Sequence, residues 1–394
     1  MKKMLIPGAG IYQVPLIRKA KELGIYTIAA SIPGPYPGFA FADETLYIDT
    51  VDAQGLLKAA RERRIDGILT TGTDVAMQSV GLICDELGLP GISLSAAKIL
   101  TDKAAMKEAF LEGGVRTAPF RKVFSLEEAE EAFLALGGPL MVKVTDKSGS
   151  RGVVRVDSLE ALAEAYSYAA SFTDKNYLIV EKYVEGHEIG IDAYVKDGRL
   201  ALFLPHDKLI YRGRHSTVPV GHVFPCEGSA RLLADMREQT ERIAAVSGIN
   251  DAALNIDALV SGDETTIIEA GGRCGATCIP ELISLYGGID YYGLMIKNAL
   301  GAEADFSLRE AVPCAASLLF LRERARLLDI DREGLMSLSE EGIYASFDYA
   351  PGAELPAMVN GTDRIGQVYG RGRGAEAAEA MAEKALSCLS LAKC

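Results

Sequence analysis

Short apolar runs alternate with helix-periodic stretches through the first seventy residues, and that rhythm leaves few folds open. Met4-Leu5-Ile6 reads as a buried strand, Gly8-Ala9-Gly10 as a turn, and Gln13 to Leu23 as a helix. Tyr26 to Ala30 and Leu46 to Ile48 read as strands, Asp52 as the cap of a helix running to about Arg64, and Gly67 to Thr70 as a fourth strand. Parallel neighbours need crossover connections, so this alternation predicts a parallel, doubly wound α/β sheet. Past residue 118 the pattern changes. Ser125 to Leu136 predicts a helix, Pro139 to Val144 a strand, Asp146 to Gly152 a small polar loop, Val153 to Val156 a strand, and Ser158 to Ala169 a helix. Tyr177 to Val180 and Glu188 to Val195 add strands, which together make an α+β lobe. Further strands, a long helix from Ser229 to Ser247, a glycine and arginine turn at 271–275, and a final Ala-rich helix after Gly370-Arg371-Gly372-Arg373-Gly374 follow. The expected division is 1–100, 101–195 and 196–394.

Composition narrows the function. The chain has 54 acidic and 41 basic residues, a formal charge of −13. That excess argues against non-specific nucleic-acid or membrane-surface binding, which needs a basic face. No apolar run approaches the ~18 residues of a membrane span. Pro7, Gly8 and Gly10 interrupt the run after Met1-Lys2-Lys3, so no signal peptide is read and a cytoplasmic location is expected. Seven cysteines (Cys84, Cys226, Cys274, Cys278, Cys314, Cys388, Cys394) are scattered without a CxxC, which fits free thiols in a reducing compartment. Cys274 and Cys278 do not have zinc spacing.

Several motifs carry chemistry. Gly8-Ala9-Gly10-Ile11-Tyr12-Gln13 follows a strand and opens a helix, as a dinucleotide fingerprint does. Its third glycine is Gln13, however, and the second strand ends in Ser31-Ile32-Pro33 without an acid for a ribose hydroxyl. A tight turn in a doubly wound sheet explains it, and a nicotinamide oxidoreductase is disfavoured. No GxxxxGK[ST], HExxH or GxSxG is present, so hydrolase readings lack their parts. The loop Asp146 to Gly152 starts three residues after Lys143 and combines Gly, Ser and Arg. It reads as a plain hairpin or as a cover for phosphates that supplies backbone N–H groups and a guanidinium. Asn255 to Val260 and Thr265 to Glu269 read as a hairpin that sets Asp257 opposite Glu269 on one face. Paired carboxylates interrupting apolar runs suit Mg²⁺ that also binds ATP phosphates. Arg273 follows four residues on, beside that charge. Lys208, Tyr211, Arg212, Arg214 and His215 form a local basic run in an acidic chain, readable as a solvated face or as a receptor for a substrate carboxylate or phosphate. Arg371 and Arg373 read as an exposed turn.

In this order the pieces resemble an ATP-grasp enzyme of the carboxylate–amine ligase type, over nearly the whole chain. The resemblance is carried by the Rossmann-like start, Thr101-Asp102-Lys103, Val142-Lys143-Val144 and the Ser/Gly loop. It continues through Val180-Glu181-Lys182-Tyr183-Val184-Glu185-Gly186-His187-Glu188, Asn255-Ile256-Asp257 and Ile268-Glu269-Ala270-Gly271-Gly272-Arg273. It implies a Rossmann-like preceding domain followed by a two-lobed ATP-grasp domain. Lys103 and Lys143 would contact ATP phosphates, and Ser148-Gly149-Ser150-Arg151-Gly152 would close over them. Glu181 and the Val184 backbone would meet adenine, and Glu188 the ribose. Asp257 and Glu269 would hold magnesium, and Arg273 would stabilise the transferred phosphoryl group. The family often has an Asn two residues after the second acidic ligand. Here Gly271 stands there, so one metal ligand is missing or replaced by water.

The implied reaction is that of an ATP-dependent, ADP-forming carboxylate–amine (or amino-acid) ligase, which joins two small molecules through an acyl-phosphate. Purine-biosynthetic ligases and carbamoyl-phosphate synthase halves share this layout, and a non-catalytic nucleotide-binding protein is the alternative that Gly271 leaves open. Substrate choice is expected in Gly72-Thr73-Asp74 and Gly275-Ala276-Thr277, with the basic run and Arg273. A homodimer is expected by resemblance only.

Overall fold

In the computed structural model, which describes residues 1–147, 152–212, 217–359 and 363–393, the N-terminal apolar runs form a four-stranded parallel sheet. Its order is Glu44–Tyr47, Tyr26–Ser31, Lys3–Pro7, Gly67–Ile68. Successive strand side chains point to opposite faces. Leu5, Ile28 and Ala30 therefore share a core with Leu56, Leu57 and Ile83, while Met4, Ile6 and Ala29 share one with Leu16, Ile17 and Ala20. Asp52 caps the helix Ala53–Arg63 by accepting from Gly55 N at 2.9 Å. The fourth strand is shorter than expected. Thr70 and Thr71 turn their hydroxyls onto the carbonyls of Pro7 and Tyr12, and the ladder stops.

Three helices follow, Met77–Leu87, Leu94–Thr101 and Lys103–Glu112; of these only the start of the third, at Lys103, is readable in the sequence. Ser93 and Asp102 cap the last two through their side-chain oxygens. Met106 and Phe110 of the third share a core with Ile243, Ile256 and Ile267. That core also holds Leu5 and Ile28, so it joins the parallel sheet to the larger sheet described next.

The small lobe is an antiparallel sheet in the order Phe120–Val123, Leu178–Lys182, Leu140–Lys143, Val153–Val156. Helices Leu126–Leu136 and Leu162–Ala170 back it with Ala129, Ala132, Leu162 and Ala169. The large lobe is an eight-stranded antiparallel sheet: Glu264–Gly271, Ala252–Ser261, His187–Lys196, Arg199–Arg212, Thr217–Phe224, Cys314–Leu319, Gly366–Arg371, Ile343–Phe347. The strand His187–Lys196 pairs on both sides within this sheet. A boundary at residue 195 therefore cuts through a central strand, and the natural break is the link 183–186. Ser229 caps the long helix Ala230–Ser247. Arg371 and Arg373 are exposed, as expected, but Arg371 ends the strand Gly366–Arg371 and Arg373 stands at the N-cap of the last helix rather than forming a turn; they pair with Glu310 and Glu227.

The six described cysteines are free and buried; Cys394 lies outside the described residues. Burial pushes the thiols of Cys84, Cys226, Cys274 and Cys314 up to about 12, which keeps them unreactive. Among the described residues no helix is long and apolar enough to cross a membrane.

Candidate active site

The hairpin Ala252–Ser261/Glu264–Gly271 places Asp257 directly opposite Glu269, as its sequence predicts. Both carboxylates open on a cleft of about 480 Å³ whose lining includes Asp74, Lys103, Asn255 and Arg273. Each is met by an ammonium from a different element: Asp257 by Lys208 at 2.7 Å, Glu269 by Lys103 at 3.0 Å. Lys208 also reaches Glu188 at 2.8 Å, and Lys103 donates to the Lys147 carbonyl at 2.8 Å. The two acids are driven apart. Burial, with Glu269 and Glu188 nearby, holds the Asp257 carboxyl above its ordinary range in spite of Lys208. Burial also pushes Glu269 up, but Lys103, then Lys143 and Lys208, more than offset it and hold it below that range.

Opposed carboxylates at an open cleft are hard oxygen donors of the kind that suit Mg²⁺, which keeps waters and phosphate oxygens in its shell. The residues present therefore fit that ion. Among the described residues no group of three or more His, Cys, Asp or Glu side chains is gathered for a metal. At position 271 the room for a longer side chain is taken, since a Cβ on Gly271 would stand 2.9 Å from Asp74 Oδ1.

Deeper, under the small-lobe sheet, Glu181 Oε2 lies between Lys143 at 2.8 Å and Lys107 at 3.2 Å. Its other oxygen, Oε1, is buried without a hydrogen-bond partner among the described residues. Burial opposes the Glu181 charge, yet Lys143 and Lys107 hold its carboxyl below the ordinary range. Lys107 was not singled out by sequence reading. It is 1% exposed, donates to Thr117 Oγ1 at 2.6 Å, and burial lowers its ammonium to about 8 although Glu181 pulls it up. A usable signal existed: Lys107 follows Lys103 by one helical turn, on the same face of Lys103–Glu112.

Arg273 is fixed by two side chains and the Cys274 carbonyl. Its Nε and Nη2 face Asp74 at 2.8 and 3.1 Å, and its Nη1 donates to Asn255 Oδ1 at 2.7 Å. Asn255 in turn donates to Asp192 at 3.3 Å, and Asp192 also meets the Gly275 N–H at 3.2 Å and His206 Nε2 at 3.0 Å. Asp192 and His206 are fully buried, with His206 stacked on Phe224. Asp192 was likewise overlooked, although it interrupts the apolar run of its strand just as Asp257 does.

The other expected residues fall as follows. Gly152 has φ +67°, accepts the Val144 N–H on its carbonyl at 3.1 Å, and has no room for a Cβ beside Val144. Ser148, Gly149, Ser150, Arg151, Arg214 and His215 lie outside the described residues, as does the side chain of Arg212. Lys208 does not face outward with a basic run; it turns in to Glu188 and Asp257. Val184 sits in the link between the lobes. Thr277 lines a separate small cavity with Tyr12, Thr71 and Gln367, apart from the cleft.

Residues 136–281 match the model of the ATP-grasp domain. That span contains Lys143, Glu181, Glu188, Asp257, Glu269 and Arg273. An alanine–anticapsin ligase of Bacillus subtilis is 25% identical over 287 residues, 66% of this chain and 60% of its own length. A carbamoyl phosphate synthase large chain of Clostridium beijerinckii is 25% identical over 319 residues, 77% of this chain and 29% of its own. The chain thus spans 60% or less of these curated relatives. Among solved structures, a phosphoribosylglycinamide synthetase from Anaerococcus prevotii covers 100% of both chains at 28% identity and a TM-score of 0.84. Residues 136–281 are an ATP-grasp domain, preceded by a Rossmann-like sheet.

Proposed function

We propose that this ATP-grasp enzyme is an ATP-dependent, ADP-forming ligase that joins a carboxylate to an amine through an acyl-phosphate. One observation carries the reading: Asp257 and Glu269 oppose each other at a cleft that also holds Lys103 and Arg273. The likeness to an alanine–anticapsin ligase and to a phosphoribosylglycinamide synthetase supports it.

A carboxylate is a poor electrophile. Its oxygen attacks the γ-phosphorus of ATP, the β,γ-bridging bond breaks, and ADP leaves. The acyl-phosphate then accepts an amine and releases phosphate. Lys103 and Lys143 supply fixed positive charge for the phosphates, and Arg273, locked by Asn255, meets charge that develops on the transferred group. Glu181, held by Lys143 and Lys107, offers its unpartnered Oε1 to the adenine amino group, with the Val184 backbone beside it. Glu188 takes the ribose hydroxyls. The Ser148–Gly152 loop is the proposed cover, which keeps water from hydrolysing the intermediate. Asp257 and Glu269 would hold Mg²⁺, which neutralises phosphate charge when bound. Lys208, Arg212, Arg214, Gly275 and Thr277 stay proposed substrate residues, with Lys208 already committed to the acids. A cytoplasmic location and a homodimer complete the reading.

The test is ADP release with Mg-ATP against pooled small carboxylates and amines, followed by mass spectrometry of active pools, with Asp257→Asn as blank. A new mass equal to acid plus amine minus water is expected. ATP-dependent thermal stabilisation without ADP in any pool points instead to the nucleotide-binding alternative.

A further inference from the structure

Arg273 is the natural receptor for a substrate carboxylate in the cleft, yet the structure already gives it one. Asp74 reaches it from the Gly72–Ala76 loop of the N-terminal sheet, 199 residues away in sequence. The fit is built from both sides. Gly271 has no Cβ, and one there would stand 2.9 Å from Asp74 Oδ1 and 3.4 Å from Arg273 Cζ. The neighbouring residue Val75 is 58% exposed and Val51 62%, and both line the cleft with buried Leu100. The cleft therefore presents a cation, an anion beside it and aliphatic side chains in the same wall.

The charge balance decides what fits there. A plain carboxylate that takes Arg273 displaces Asp74 and leaves it unpaired in a cleft that already holds Asp257 and Glu269, a costly state for a half-buried acid. A plain amine cannot engage Asp74 without leaving Arg273 unpaired. A zwitterion exchanges one ion pair for two and strands neither charge.

We infer that Asp74 and Arg273 together recognise an α-amino acid with an apolar side chain: Arg273 binds its carboxylate, Asp74 its ammonium, and Val51 and Val75 face its side chain. The inference deepens the proposed ligase reading and rests on it for the role of the bound carboxylate.

Calorimetric titration of the full-length protein, with Mg²⁺ and a non-hydrolysable ATP analogue, tests it. The probes are L-leucine, D-leucine, 4-methylpentanoate, which lacks the ammonium, and 3-methylbutylamine, which lacks the carboxylate. At least one leucine enantiomer binds at least about tenfold tighter than either truncated probe, since each leaves one charge unpaired. In Asp74→Asn the gap between leucine and 4-methylpentanoate closes because leucine weakens while the acid does not. Equal binding of leucine and 4-methylpentanoate by the unaltered protein, or no binding of either enantiomer, overturns the proposal. A parallel loss for both probes in Asp74→Asn also overturns it, as it assigns Asp74 a merely structural role. The comparison on the unaltered protein stands even where the variant does not fold. ADP release is followed separately. Asp74-dependent leucine binding without ADP in any amine pool contradicts the ligase reading and upholds this one.

Discussion

The glycine turn of the N-terminal sheet and the acidic hairpin of the large sheet both carry residues suited to nucleotides, and the structure treats them oppositely. At the turn, Gly8 adopts φ +106°, and a Cβ there would lie 3.0 Å from the Gln13 side chain. Gln13 Oε1 accepts the Gly10 N–H at 2.8 Å, its Nε2 donates to the Thr71 carbonyl, and the residue is buried. The side chain thus fills the space and uses a donor that a pyrophosphate would need. At the hairpin, by contrast, Asp257 and Glu269 face open volume, and among the described residues lysine side chains neutralise them. Glycines mark where a backbone bends sharply. Charges kept at the wall of an open cleft mark where a charged ligand goes, because nothing in folding alone repays gathering them there.

The sharpest way to break this contrast is to remove the hairpin's charge. Asp257→Asn or Glu269→Gln is expected to lower ADP formation by about 10³-fold or more; the melting temperature changes little in Asp257→Asn, which relieves a like-charged pair, and falls in Glu269→Gln, which leaves Lys103 without its carboxylate. Steady-state ADP assays beside thermal melts check it. Arg273→Lys keeps the charge but loses the fork that spans Asp74 and Asn255, and a loss of about 10²-fold in kcat/KM is expected.

Lys107 gives a smaller, pH-dependent effect. Its ammonium is lowered by burial to about 8 in the fold, against about 10.4 when free. Between those values the unfolded chain binds more protons at this residue than the folded one, so its contribution to stability rises with pH across that window and is flat below it. Denaturant titrations from pH 7 to 10 are expected to show this rise, up to about 3 kcal/mol, and Lys107→Met to lack it. The smallest effect belongs to the glycine turn. Gln13→Gly is expected to cost about 1 kcal/mol of stability, leave ADP formation within about twofold, and bring no NADH fluorescence change.

Much of this architecture was legible because it is local. The parallel sheet follows from strand–helix alternation, and the Asp257–Glu269 pairing from a hairpin turn at residues 261–264 and the period-two pattern on either side. What was not legible is tertiary. The strand His187–Lys196 looks like the end of the small lobe in sequence but pairs into the large sheet, since strand runs alone do not name their partners. Lys208 reads as part of a basic run, yet its strand alternates it inward, to Asp257. In sequence Asp74 reads only as a member of a substrate loop, and its ion pair with Arg273 exists because two distant segments meet over Gly271. Lys107 and Asp192 are polar residues inside apolar patterns, and only the fold reveals which charge each one answers.

The central claim is that the carboxylate is activated by phosphoryl transfer at this cleft. Running the substrate pools with ¹⁸O-labelled carboxylates and weighing the released phosphate tests it directly. The acyl-phosphate route carries one labelled oxygen from the carboxylate into phosphate for each ADP formed, and Asp257→Asn abolishes both. ADP and a joined product formed with unlabelled phosphate would contradict the account.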